Sequence, residues 1–268
     1  MVKEIKQIWT PGIISMGKNN GDKFMSSGYA KLPEFSQTNN LKYIRDDLDE
    51  AQAVKLLKDN QNELRKILSE LALRQYGQGA DFINLVPNVL NIFANEIKYD
   101  TGVPVLHVAT PTVEIMKKEG PFQTAVLIAT ERIMTSESYL SVFHENGKNV
   151  FVPSEPNRKI INSIIFDEIK PGKVKPESRN RLIEILAWAK LAGADVAAIG
   201  CGDLADLLQA DHTVSYGKDQ RKDELIRLNN NGDGTLQDSY KNSIHRIDIG
   251  IEHAYAMLRN CFKKEKLL

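Results

Sequence analysis

"GADVAAIGCGDLADLL", residues 193–208, is the stretch on which the fold turns. It opens with a Gly-Ala-Asp link after an amphipathic run. "DVAAIG" (195–200) follows, short and apolar enough for a fully buried strand. Then come Gly200-Cys201-Gly202 and the start of a helix, "DLADLLQ". A buried strand running through a glycine turn into a helix is the repeating unit of parallel α/β proteins. A thiol between two glycines at the carboxyl end of such a strand is well placed to meet a small ligand.

The same unit recurs outward from there. Short apolar runs lie at "QIWTPGIISM" (7–16), "DFINLV" (81–86), "VPVLHV" (103–108), "TAVLIA" (124–129) and "NVFVP" (149–153). Between them, residues 46–76, 155–170 and 177–193 carry Leu and Ile at three- and four-residue spacing, the period of an amphipathic helix. An internal repeat is also present. "GADFINLVPN" begins at Gly79 and "GADVAAIGCG" at Gly193, an offset of 114 residues. Glycine suits the C′ position of a helix, so each Gly-Ala-Asp reads as a helix-to-strand link. The expected architecture is α/β, with two similar lobes, each a parallel sheet flanked by helices, and a cleft between them. Lobe one would be 1–115 plus 213–268, and lobe two 116–212. The repeat places Pro87 where lobe two has Cys201, so a thiol answers to a ring that has no exchangeable proton.

Size and composition fit this picture. The chain has 268 residues, with 35 Lys+Arg and 35 Asp+Glu. Zero formal charge gives no electrostatic reason to expect nucleic acid or an anionic membrane as partner. "MVKEIKQIW" has no apolar core of a signal peptide, and no apolar run approaches the ~18 residues that span a bilayer. Two cysteines, Cys201 and Cys261, are too few for a disulfide framework, so reduced thiols and a cytoplasmic location are expected. "NNNGDGTLQDSY" (229–240) mimics a calcium loop, with Asn229, Asn231 and Asp233 before Gly234. Its twelfth position is Tyr240 rather than the bidentate Glu, so it reads as a turn. No Cys/His spacing suggests zinc, and the G-x-G-x-x-G dinucleotide spacing is absent.

With these residues in view, the sequence resembles the aspartate/glutamate racemase family. The resemblance covers roughly residues 66–212, and the C-terminal helix more loosely. Gly200-Cys201-Gly202-Asp203-Leu204 is similar to the family's second-lobe Gly-Cys-Thr-Glu-Leu. Pro87-Asn88-Val89, with Asn91, stands where the first-lobe signature has Cys-Asn-Thr and a His. "VLIATERIMTSESY" (126–139) resembles the family's strand, Thr and helix ending in Tyr, though Ile133 replaces a second threonine. Lys170-Pro171-Gly172 matches its Lys-x-Gly, and "SIHRIDIGIEHAYAML" its Ile-His before an apolar helix. "GIISMGKNN" (12–20) keeps only Met16-Gly17 of the family's opening motif, and 213–240 reads as an insertion. The resemblance implies two lobes holding a small acidic amino acid or dicarboxylate, no cofactor, no metal and a homodimer. It implies Cys201 and His245 as catalytic groups, and Asn88, Thr130, Lys170 and Gly202 as substrate contacts.

The chemistry sets its own requirement. Racemisation without a cofactor removes a proton from one face of Cα and returns one to the other, so acid and base must flank the carbon. A free thiol, with a pKa near ~8.5, suits this when a helix N-terminus lowers it. Asp203 opposes that lowering and His245 would offset it. Pro87 cannot exchange a proton, which makes two-base racemisation doubtful. Asn91 and Ser15 are the neighbouring polar residues. Cys261 reads as structural, His107 as packed, and His144 and His253 as surface residues. Three functions compete: a racemase-family enzyme using Cys201 on one face, a one-cysteine decarboxylase-like enzyme, and an inactive racemase-like protein that binds an amino acid or a partner.

Overall fold

The computed structural model describes residues 9–31, 41–209 and 244–262. They form two compact units, Met1–Ile115 with Ser136–Asn146 and Ile249–Leu268, and Met116–Thr135 with Gly147–Asp248. The insertion at 213–240, with its calcium-like loop, lies outside the described residues.

The first unit contains a three-stranded parallel sheet in the order β2-β1-β3, from β1 (Pro11–Met16), β2 (Ile44–Leu48) and β3 (Phe82–Val86). β1 and β3 are buried at every position, as a sheet covered on both faces requires. Side chains alternate between the faces. Ile13, Phe82 and Val86 point into a core formed with Phe24 and Met25 of α1 (Lys18–Lys31) and Ala254, Met257 and Leu258 of α11 (Ile249–Cys261). α2 (Glu50–Asp59) and α3 (Gln61–Gly77) connect β2 to β3. α3 covers the opposite face through Leu64, Leu68 and Ala72, and Gln75 Nε2 donates to Ile13 O at 3.0 Å. Beyond β3, a 3-10 turn (Asn88–Phe93), α4 (Ala94–Thr101) and α5 (Thr110–Lys118) follow.

The second unit has four parallel strands in the order β5-β4-β6-β7: β4 (Thr124–Ile128), β5 (Asn149–Phe151), β6 (Val196–Ile199) and β7 (His245–Asp248). Among its described residues the helices are α6 (Glu131–Met134), α8 (Glu155–Ser163), α9 (Pro176–Leu191) and α10 (Gly202–Gln209). α7 (Glu137–Glu145) leaves this run of chain and packs in the first unit, while β7 belongs to the second. The sequence division put both segments in the other lobe.

The internal repeat extends to hydrogen bonds. Gly79 and Gly193 both have positive φ, 101° and 97°, as the glycine after a helix should. Ala80 N–H donates to Gln75 O, and Ala194 N–H to Ala189 O. Asp81 accepts from Thr10 N–H, and Asp195 accepts from Gln123 and Thr124 N–H. Pro11 pairs with Phe82 in one sheet and Ala125 with Val196 in the other, again 114 residues apart on both strands.

Four sequence expectations need correction. Residues 46–76 are not one helix: 46–48 close β2, and the rest divides because Asp49 and Asn60 each accept from a backbone N–H three residues on and start a helix of their own. "VPVLHV" makes only an isolated bridge, Ile83 to Val105, since Pro104 has no N–H for a ladder. Residues 164–169 open from α-helix into a π-turn. His253 is 1% exposed rather than on the surface, because α11 is enclosed on nearly all sides. His144 is exposed and His107 packed, as read.

Candidate active site

In the second unit the candidate residues gather at the carboxyl edge of the sheet. Ile128 and Ile199 are in register on adjacent strands. Thr130 and Cys201 each follow two residues later, so they are neighbours on that edge. Gly200 permits the closeness: its N–H donates to Ile128 O at 2.8 Å. A Cβ on it would meet Ala129 Cβ at 2.9 Å. Ile133 is 2% exposed behind this contact.

Cys201 is half-buried and caps α10, its carbonyl accepting from Leu204 and Ala205 N–H at 3.1 and 3.0 Å. Burial pushes the thiol above its ordinary range, and Asp203 adds to the shift. The N–H groups of Leu204 and Asp203 and the charge of Lys170 act in the opposite direction. Gly202 supplies a backbone N–H in the first turn of α10. Thr130 Oγ1 is buried with no hydrogen-bond partner among the described residues. Lys170 ends the π-turn, with Nζ 4.5 Å from the centroid of the Phe166 ring. The edge therefore combines a thiol, a hydroxyl, a helix-terminal N–H and a cation, a set suited to a carboxylate and to proton exchange beside it.

His245 is not part of this group. It is the first residue of β7 and pairs with Val196, at the amino end of β6. Val196 and Cys201 are five residue steps apart along nearly extended chain, about 16 Å at ~3.3 Å per residue. There it stacks on Phe122 at 5.2 Å, with Nε2 3.8 Å from Glu119 Oε2. The reason is local: 245–248 pair as a strand, and the apolar helix starts only at Ile249. Asp248, which the helical reading hid, is in register with Ile199 at the carboxyl edge.

The first unit presents the equivalent turn. Pro87 follows β3 through a cis Val86–Pro87 bond, and Asn88 starts the 3-10 turn. Tyr139 donates its hydroxyl to Asn88 O, and Ser138 Oγ donates to Asn91 O at 2.9 Å. Asn91 Nδ2 donates to Leu85 O and its Oδ1 accepts from Val108 N–H. Asn91 is a buried brace, and Ser15 spends its hydroxyl on Gly17 O. Neither offers a free base. Cys261 is fully buried, its thiol pushed up to about 12 by burial.

Among the described residues, no group of three or more His, Cys, Asp or Glu side chains could hold a metal ion, and no helix is long and apolar enough to cross a membrane.

Comparison with known proteins bears on these features. The Asp/Glu/hydantoin racemase family model matches residues 42–217. The broad specificity amino-acid racemase RacX of Bacillus subtilis (strain 168) is 27% identical over 154 residues, which is 58% of this chain and 65% of that protein. A Yersinia pestis protein assigned as an Asp/Glu racemase superposes with a TM-score of 0.75 at 19% identity, over 96% of this chain and all of that one. An aspartate racemase homologue from Pyrococcus horikoshii OT3 gives 0.66 at 18% identity, with the same coverage. At these identities the structural likeness is one of fold.

Proposed function

The chain belongs to the Asp/Glu/hydantoin racemase family, and from that premise we propose that it binds a small acidic amino acid, or a related dicarboxylate, at the strand end bearing Cys201. Cys201 is its only thiol acid/base. The observation that carries this reading is the pairing of unlike residues in a repeated fold: Cys201 opens the turn after β6, and Pro87 opens the corresponding turn after β3.

The thiolate takes the Cα proton, and the electron pair left on carbon spreads into the substrate carboxylate. Thr130 Oγ1, the Gly202 N–H and the Lys170 ammonium are the groups that stabilise that charge. The same thiol then returns the proton to the same face. Because burial raises the thiol pKa, little thiolate exists at neutral pH, and the rate should climb as pH rises. Racemisation and Cα exchange are measured with L- and D-aspartate and glutamate. Loss of the thiol in Cys201→Ala should lower exchange by about 10²–10⁴-fold. An unchanged rate would end the proposal. Pro87 also favours a second reading, binding without turnover: ligand titration showing saturable binding with no exchange in wild type selects it.

A further inference from the structure

The π-turn at Ile164–Ile169 breaks the regular helix that precedes it, and such turns recur at functional sites. It encloses a carboxylate. Glu168 is 6% exposed, and a charge so enclosed persists only where donors surround it. Its Oε2 accepts from Ser178 Oγ at 2.5 Å and from Lys175 N–H at 3.0 Å. Its Oε1 lies 3.6 Å from Lys175 Nζ, and its backbone carbonyl accepts from Lys173 N–H at 2.7 Å. The Ser178 hydroxyl, above all, and the Lys175 N–H hold the carboxyl below its ordinary range. Every one of these contacts reaches forward into 173–178. Together they tie the end of the π-turn to the first turn of α9.

The residue held between those ties is Lys170. Its N–H closes the π-turn on Ile165 O at 3.0 Å. The π-turn packs against α10, the helix that Cys201 caps. Among the described residues, two charged side chains act on the thiol: Asp203, beside it on α10, and Lys170 from the π-turn. The geometry points to Glu168 as a positioning residue, a buried latch that fixes the π-turn and keeps the Lys170 ammonium at the Cys201 edge. The inference rests on the proposed role of Cys201, but its test reads the thiol itself and needs no turnover.

The test is the pH dependence of iodoacetamide alkylation at Cys201, followed by mass spectrometry of the peptide that contains it. Lys170→Met should raise the apparent thiol pKa and slow alkylation at pH 7.5 by about threefold to tenfold, the effect of ~0.5–1 pKa unit. Glu168→Gln distinguishes two mechanisms by sign. Removing a negative charge through space alone would lower the thiol pKa and speed alkylation. Releasing Lys170 raises it and slows alkylation. The latch predicts slowing in Glu168→Gln and no further slowing when it is added to Lys170→Met. Ser178→Ala removes one donor without changing charge and should slow alkylation in the same direction, which covers the case in which Glu168→Gln fails to fold. Unchanged or faster alkylation in folded Glu168→Gln, or in Ser178→Ala, overturns the inference. If these shifts appear while no substrate proton exchanges, the latch stands and the proposed activity falls.

Discussion

Lowering the pH from 7.5 to 5 should remove about 4 kcal/mol of folding stability, because two histidines of the first unit stay neutral in the fold. His107 and His253 are 6% and 1% exposed, and burial depresses both from 6.5 to about 3. The His253 ring also makes His107 harder to charge. His107 Nδ1 accepts from Ala109 N–H at 3.0 Å, so that nitrogen is committed to the neutral form. In the unfolded chain both rings protonate near their ordinary value. A depressed folded pKa means stability that is full above about 6.5 and declines as pH falls towards about 3. At pH 5 each unfolded histidine sits about 1.5 pH units below its pKa, worth about 2 kcal/mol per ring. That is a large share of the ~5–15 kcal/mol that holds a typical domain together. Carboxylates held below their ordinary range, such as Asp46 and Glu168, contribute little before pH 4.5. The assay is urea unfolding at pH 7.5 and 5 for the wild type, His107→Gln and His253→Gln. Each substitution destabilises at both pH values, so only the difference between them is read. The expected difference is about 4 kcal/mol in wild type and about 2 in each variant. An equal pH dependence in all three proteins would refute the buried-imidazole reasoning.

Three further outcomes follow from the geometry. Gly200→Ala should cost about 1–3 kcal/mol and depress activity, since its Cβ would press on Ala129 Cβ; Gly77→Ala, with nothing within 4 Å of its Cβ, should be neutral or stabilising in the same melting experiment. Asp81→Ala and Asp195→Ala should each destabilise by about 1 kcal/mol, and by similar amounts, if their shared role of fixing strand starts is real. Tyr139→Phe, which leaves the Asn88 carbonyl without its hydroxyl donor, should lose about 1–2 kcal/mol and loosen amide exchange protection across residues 88–93.

The parallel sheets were readable because buried strands announce themselves as unbroken apolar runs. The repeat was readable because the Gly-Ala-Asp link has a fixed backbone job, a left-handed glycine followed by a strand-starting carboxylate. Cys201 and Thr130 lie two residues beyond in-register positions of adjacent strands, so a shared strand edge follows from the sheet itself. What failed was local and physical. Asp49 and Asn60 look like ordinary polar residues in a helical period until their caps are seen to divide it. His245 was assigned by resemblance, and no periodicity marks four residues of "HRID" as a strand at the opposite sheet end. His253 sits in a helix with apolar residues on most faces, and that all-round apolar pattern, rather than an amphipathic one, is what buries it. Glu168 carried no signal: only coordinates show that its donors come from the next helix.

The most direct measurement is the fate of the substrate Cα proton in deuterated water, followed by NMR together with chiral analysis of the recovered amino acid. A single thiol working on one face predicts deuterium uptake with configuration retained, abolished in Cys201→Ala. Uptake that persists at the wild-type rate without the Cys201 thiol would contradict the account.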